Sequence, residues 1–138
     1  MARILLIEDD VPLRSALREL LTAHGHAVTE AANGRSALAL QTTRVFDLLI
    51  LDILMPEQDG LEVLLALGRR ISGLKIIVMS GGGLGAAAIY LDLAIRFGAH
   101  RTLQKPFSSQ LLLQAVDELH PSIKPDRSST VQYPGGGG

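Results

Sequence analysis

The sequence predicts an α/β domain: a parallel sheet covered by helices on both faces. Two observations predict it. Five short apolar runs alternate with five segments of helical periodicity along the chain. Three of those runs are apolar on consecutive residues, the pattern of parallel strands buried on both faces. Regular alternation of strand and helix then favours right-handed crossovers.

The strand candidates are Ile4 to Ile7, Ala27 to Ala31, Leu48 to Leu51, Ile76 to Met79 and Thr102 to Gln104. The first, third and fourth are the consecutive runs, which places them at the sheet centre. The first helix carries Leu13, Ala16, Leu17, Leu20 and Leu21 at three- and four-residue spacing, with Pro12 in its first turn and Gly25 at its stop. Asn33 is the expected N-cap of a second helix running to about Thr43. Gly60 opens a third with Leu61, Leu64, Leu65 and Gly68 on one face, and a fourth runs from about Leu84 to Phe97 and ends at Gly98. Ser108 is the expected N-cap of the fifth, with Leu111, Leu112, Ala115, Val116 and Leu119 on one side.

At 138 residues the chain is long enough for one core. With 47% hydrophobic and 20% charged residues it reads as globular. A net charge of −1, with thirteen Lys and Arg spread along the chain, argues against direct nucleic-acid binding, which needs a basic face. Absence of cysteine removes disulfides, thiolate metal sites and Cys nucleophiles. The opening apolar stretch, Ile4 to Ile7, is too short for a signal peptide, and no run approaches a membrane span. A cytoplasmic protein without membrane insertion is expected. From residue 121 to 138 the composition turns to Pro121, Pro125, Pro134, Ser128, Ser129 and a run of glycine from Gly135 to Gly138. The expected organisation is one domain over residues 1–120 and a flexible tail over 121–138, too short for an output domain.

In an open parallel sheet, ligands bind beyond the carboxyl ends of the strands. Here strand one ends in Glu8, Asp9 and Asp10, strand three in Asp52, strand four in Ser80 and strand five in Lys105. Carboxylates brought together repel unless a cation joins them, and an all-oxygen cluster suits a hard divalent ion, Mg²⁺. An acid at a strand end is often only a solvated loop residue. Asp52, inside Leu-Leu-Ile-Leu-Asp-Ile-Leu-Met, has apolar flanks that argue against that. A carboxylate beside Mg²⁺ can attack phosphorus and form an acyl phosphate, provided counter-charge meets the phosphoryl oxygens. Lys105 supplies a mobile cation, its starting point set by Pro106, and Ser80 supplies a hydroxyl donor. Gly81, first of Gly81, Gly82, Gly83 and Gly85, sits where its backbone N–H can approach a phosphate, although a glycine run also serves as a flexible connection. The segment Met55 to Gly60 is placed for a tight loop bordering the site.

With these residues placed, the chain resembles a response-regulator receiver domain of the CheY-like, stand-alone type over residues 3 to about 119. Four pieces carry the resemblance in order: Ile-Leu-Leu-Ile-Glu-Asp-Asp; Asp-Leu-Leu-Ile-Leu-Asp-Ile-Leu-Met-Pro-Glu-Gln-Asp-Gly; Ile-Ile-Val-Met-Ser-Gly; and Phe-Gly-Ala-His-Arg-Thr-Leu-Gln-Lys-Pro-Phe. It implies a flavodoxin-like (βα)5 three-layer sandwich with a five-stranded parallel sheet of order 2-1-3-4-5. It implies a regulator rather than an enzyme, phosphorylated on Asp52 by a histidine kinase or histidine phosphotransfer protein of a two-component system or phosphorelay. Glu8, Asp9, Asp52 and the Ile53 carbonyl would surround Mg²⁺, Ser80 and Lys105 would contact the phosphoryl group, and a downstream protein would read the result. Two departures stand out. Thr102 occupies the place where the family commonly has an aromatic residue that turns inward as the hydroxyl residue moves, so the Ser80 and Thr102 switch region lacks its ring. Leu54 and Gly82, two residues after Asp52 and Ser80, lack polar side chains able to place an attacking water.

Two other readings use the same parts. A phosphatase of the haloacid dehalogenase type needs a second Asp two residues after the nucleophile, where this chain has Leu54. A docking module that works without phosphorylation is compatible with Thr102 but leaves Glu8, Asp9, Asp52 and Lys105 without a purpose.

Overall fold

The computed structural model describes residues 1–41, 44–55, 58–59, 62–66, 73–81 and 86–121. In chain order the elements are β1 (Arg3–Ile7), α1 (Val11–Ala23), β2 (Ala27–Ala31), α2 (Gly34–Gln41), β3 (Leu48–Asp52), a helical stretch α3 over residues 62–66, β4 (Lys75–Ser80), α4 (Ala86–Arg96), β5 (Arg101–Gln104) and α5 (Ser109–Leu119). The five strands form one parallel sheet of order β2-β1-β3-β4-β5. This is the expected flavodoxin-like order, with the three consecutive apolar runs at its centre. The Met55 to Gly60 loop begins in a short antiparallel pairing of Leu54–Met55 with Gln58–Asp59; Pro56, Glu57 and Gly60 lie outside the described residues.

Strand alternation splits the core into two layers. Leu5, Ile7, Leu49, Leu51, Ile76 and Val78 pack with Ala37 of α2, Val63 and Leu64 of α3 and Ala94 of α4. Their neighbours Ile4, Leu6, Leu48, Ile50, Ile77 and Met79 pack on the other face with Leu17 and Leu21 of α1 and Leu112, Ala115 and Val116 of α5. Successive side chains of a strand point to opposite faces, so an uninterrupted apolar run is needed to feed both layers. Each such side chain, fully buried, is worth about 1.5–3 kcal/mol.

The helix ends follow local chemistry. Asp10 caps α1, its Oδ1 accepting from Leu13 N at 3.2 Å, and Pro12 occupies the first turn. Asn33 Oδ1 accepts from Ser36 N at 2.9 Å and Ser108 Oγ from Leu111 N at 3.1 Å, so both expected caps of α2 and α5 are present. Gly25 (φ 90°) and Gly98 (φ 114°) take the chain out of α1 and α4 in the left-handed conformation. One expected face is corrected. Leu111 is 51% exposed, because it lies a full position off the stripe set by Leu112, Ala115 and Val116. Ala16 of α1 is likewise exposed. Thr43, Leu61, Gly68, Leu84 and the expected tail from residue 122 onward lie outside the described residues. No helix among the described residues is long and apolar enough to cross a membrane.

Candidate functional site

Glu8 and Asp52 are buried, at 0% and 4% exposure, although both are acids. Alternation explains why they meet. Asp52 and Glu8 follow Leu51 and Ile7 and so share parity with Ile50 and Leu6, on the α1/α5 side of the sheet. Lys105, two residues beyond Leu103, shares it too. Glu8, Asp9 and Asp52 each place a carboxylate oxygen within 4.8 Å of the others. Lys105 Nζ donates to Glu8 Oε1 at 2.7 Å and to Asp52 Oδ2 at 3.2 Å, bridging the two buried acids.

The charge is not balanced. Burial pushes the Glu8 carboxyl up to about 7; the Lys105 hydrogen bond pulls it down, and the charge of Asp52 adds to the rise. Burial by itself would lower the Lys105 ammonium, but its bond to Glu8 and the charge of Asp52 outweigh that and raise it. One ammonium against three clustered carboxylates leaves room for further positive charge. A donor set made only of oxygen fits a hard divalent cation such as Mg²⁺.

The other predicted residues sit around this cluster. Ile53 is buried, and its N–H is donated to Met79 O at 3.0 Å, which holds the chain just past Asp52. Ser80 is fully buried and has the opposite strand parity; its hydroxyl is donated to Gly81 O at 3.2 Å rather than into the Lys105 bridge. Lys105 N is donated to Ser80 O at 2.8 Å, tying the ends of β4 and β5 together, and the Lys105–Pro106 peptide is cis. A side chain at Gly81 would meet the Lys105 stem, with Cδ 3.3 Å from the Cβ position. Thr102 is half-buried and pairs with Val78 in the ladder. Gly82 lies outside the described residues.

Of the acidic trio that ends β1, Asp10 is occupied by capping α1, which leaves Glu8 and Asp9 for the cluster. Sequence reasoning did not find Arg14. Its Nη1 is donated to Glu8 O at 2.8 Å and its Nε to Glu30 Oε1 at 3.1 Å. Spacing of Arg14 and Arg18 on one side of α1 was legible; that Arg14 turns back onto β1 was not. Beside the cluster an apolar cavity of about 570 Å³ opens between α1 and the start of α5, lined by Leu13, Leu17, Leu20, Lys105 and Phe107 among others.

Known proteins resemble this chain in sequence and fold. The chain is 36% identical over 116 residues to the transcriptional regulatory protein CpxR of Klebsiella pneumoniae, covering 84% of this chain and 48% of that protein. It is 35% identical over 115 residues to the response regulator protein FleR of Pseudomonas aeruginosa, covering 83% of this chain and 24% of that one. The chain thus spans half or less of these two relatives. The crystal structure of the receiver domain of NtrX from Brucella abortus superposes with a TM-score of 0.78 at 30% identity, covering 84% of this chain and 96% of that domain. A CheY-like receiver domain from Methanospirillum hungatei gives 0.77 at 26% identity, covering 86% and 92%. Residues 4–117 match the response regulator receiver domain, and the chain belongs to that family.

Proposed function

We propose that the chain is a phosphoacceptor switch that takes a phosphoryl group on Asp52 from a histidine kinase or histidine phosphotransfer protein and is read by a partner protein in the cytoplasm. The observation that carries this reading is the buried Asp52 carboxylate, held by Lys105 and lying within 4.8 Å of Glu8 and Asp9. Glu8, Asp9, Asp52 and the Ile53 carbonyl would hold Mg²⁺, which when bound offsets the charge of the carboxylates and the incoming phosphoryl oxygens. Asp52 attacks phosphorus through a carboxylate oxygen; the O–P bond forms as the bond from phosphorus to the donor's nitrogen breaks. Lys105 exchanges its carboxylate partners for a phosphoryl oxygen. The Ser80 hydroxyl turns from Gly81 O toward the phosphoryl group, and the Gly81 N–H faces it. Ser80, at the end of β4, and Thr102, which pairs with Val78 inside neighbouring β5, form the region whose arrangement differs between the two states, so the phosphoryl group shifts a two-state equilibrium. Thr102 is too small to transmit this as an inward-turning ring. The domain itself comprises residues 1–120, with 121–138 as its tail.

Incubation with Mg²⁺ and acetyl phosphate, followed by intact mass, tests the reading. An adduct of about 80 Da, one phosphoryl group, is expected on the wild type and not on Asp52→Ala. No adduct on the wild type would leave a phosphorylation-independent docking module.

A further inference from the structure

We infer that Arg14 is a positioning residue that sets the cation affinity of the acidic cluster by clamping the Glu8–Asp9 peptide. The inference rests on the proposal that Glu8, Asp9 and Asp52 bind Mg²⁺. Glu8 is the first residue past β1, and its N–H makes a bond to Ala31 O of β2 at 3.1 Å. Its carbonyl belongs to the peptide that leads into Asp9 and accepts from Arg14 Nη1 at 2.8 Å. Holding that carbonyl holds the peptide plane from which the exposed Asp9 side chain departs. The guanidinium is in turn held, Nε on Glu30 Oε1 at 3.1 Å, with only 17% of its side chain exposed. Arg14 N is also donated to Asp10 O at 2.8 Å, and Glu8 Oε2 accepts from Asp10 N at 3.2 Å. Those two bonds do not need the guanidinium; its own hold on the turn that carries two of the three carboxylates is the bond to Glu8 O.

Arg18 provides an internal control. It pairs with the other oxygen of the same Glu30, Nε to Oε2 at 3.0 Å, from the next turn of α1. It shares the ion pair without the Glu8 carbonyl. Simple field effects and positioning also predict opposite signs. Removing a cation beside three carboxylates should tighten Mg²⁺ binding if charge alone matters. It should weaken binding if ligand placement matters, because groups that orient metal ligands typically contribute about 10- to 100-fold in affinity.

The test is direct Mg²⁺ titration of the full, unphosphorylated chain by calorimetry, with thermal unfolding in Mg²⁺-free buffer alongside. Expected are about tenfold weaker binding in Arg14→Gln and about threefold weaker in Arg14→Lys, since a lysine keeps the charge but cannot bridge Glu8 O and Glu30 with one planar fork. Arg18→Gln should stay within about twofold of the wild type, as its loss removes only a partly exposed ion pair. Unchanged or tighter binding in Arg14→Gln, or an equal loss in Arg18→Gln, overturns the positioning role while leaving the Mg²⁺ site in place. Failure of the wild type to bind Mg²⁺ overturns both. Should Arg14→Gln not fold, Arg14→Lys decides: binding equal to the wild type overturns the role.

Discussion

Lys105 and Gly81 show how narrow the tolerances are around a single side chain. The Lys105 stem runs 3.3 Å from where a Gly81 Cβ would stand, closer than carbon atoms normally pack. A methyl there displaces a flexible stem rather than backbone, so folding should survive while the ammonium is misplaced. Gly81→Ala is therefore expected to lower the rate of phosphorylation by acetyl phosphate about threefold to tenfold, as sub-ångström misplacement of a reacting group does. Its thermal midpoint should stay close to that of the wild type; a large drop with an unchanged rate would contradict the steric account. The sequence suggested a backbone role for this glycine, and the structure adds a side-chain reason that no local reading contains.

At the scale of elements, the two edges of the sheet are closed in the same way. His26, which precedes β2, accepts the Ala2 N–H on Nδ1 at 3.1 Å; His100, which precedes β5, accepts the Ile76 N–H at 3.0 Å. A ring nitrogen that accepts from a backbone N–H carries no proton, so both imidazoles are held neutral. Burial lowers both, aided by the N-terminal ammonium, His120 and His24 at His26, against Asp117, and by Lys75 and Arg101 at His100. With the folded values depressed, the unfolded chain binds more protons below the ordinary imidazole range near pH 6.5, roughly. The stability these contacts contribute is present above that value and is lost as pH falls through it. Glu8, raised to about 7, acts with the opposite sign. A His26→Gln/His100→Gln variant, whose amide oxygens accept without titrating, isolates the histidines: between pH 7.5 and 5.5, as roughly chosen limits around the imidazole range, its urea midpoint should fall less than the wild type's. Helix α5 supplies a second comparison. Leu112→Ala should cost about 2–5 kcal/mol of unfolding free energy, and its exposed neighbour Leu111→Ala less than about 0.5 kcal/mol. Periodicity placed both leucines on one face, since a stripe drawn from spacing alone cannot say where the sheet cuts it off.

For the whole molecule, the site exists only because four strand ends are brought to one edge. A cation that binds the folded cluster and not the open chain must raise stability, by about 2.7 kcal/mol at a hundred times its dissociation constant. Mg²⁺ is therefore expected to raise the thermal midpoint of the wild type, and Asp9→Asn to lose most of that gain without losing the fold, because Asp9 is exposed and supports no packing. An equal gain in the variant would remove Asp9 from the cation site.

The sequence by itself determined the layers and which polar residues end the strands. Consecutive apolar runs that alternate with amphipathic helices suit strands buried on both faces of a covered parallel sheet, caps such as Asn33 and Ser108 act on their own helices, and polar residues that end such strands have one edge to occupy. All of these depend on neighbours within a few residues. Only the tertiary structure decided that Lys105 bridges Glu8 and Asp52 while the Ser80 hydroxyl turns to Gly81, that Arg14 clamps the Glu8 carbonyl, and that Leu111 faces outward. Those outcomes depend on strand parity, crossover geometry and the distance between residues as far apart in the chain as Glu8 and Lys105, none of which is written in local spacing.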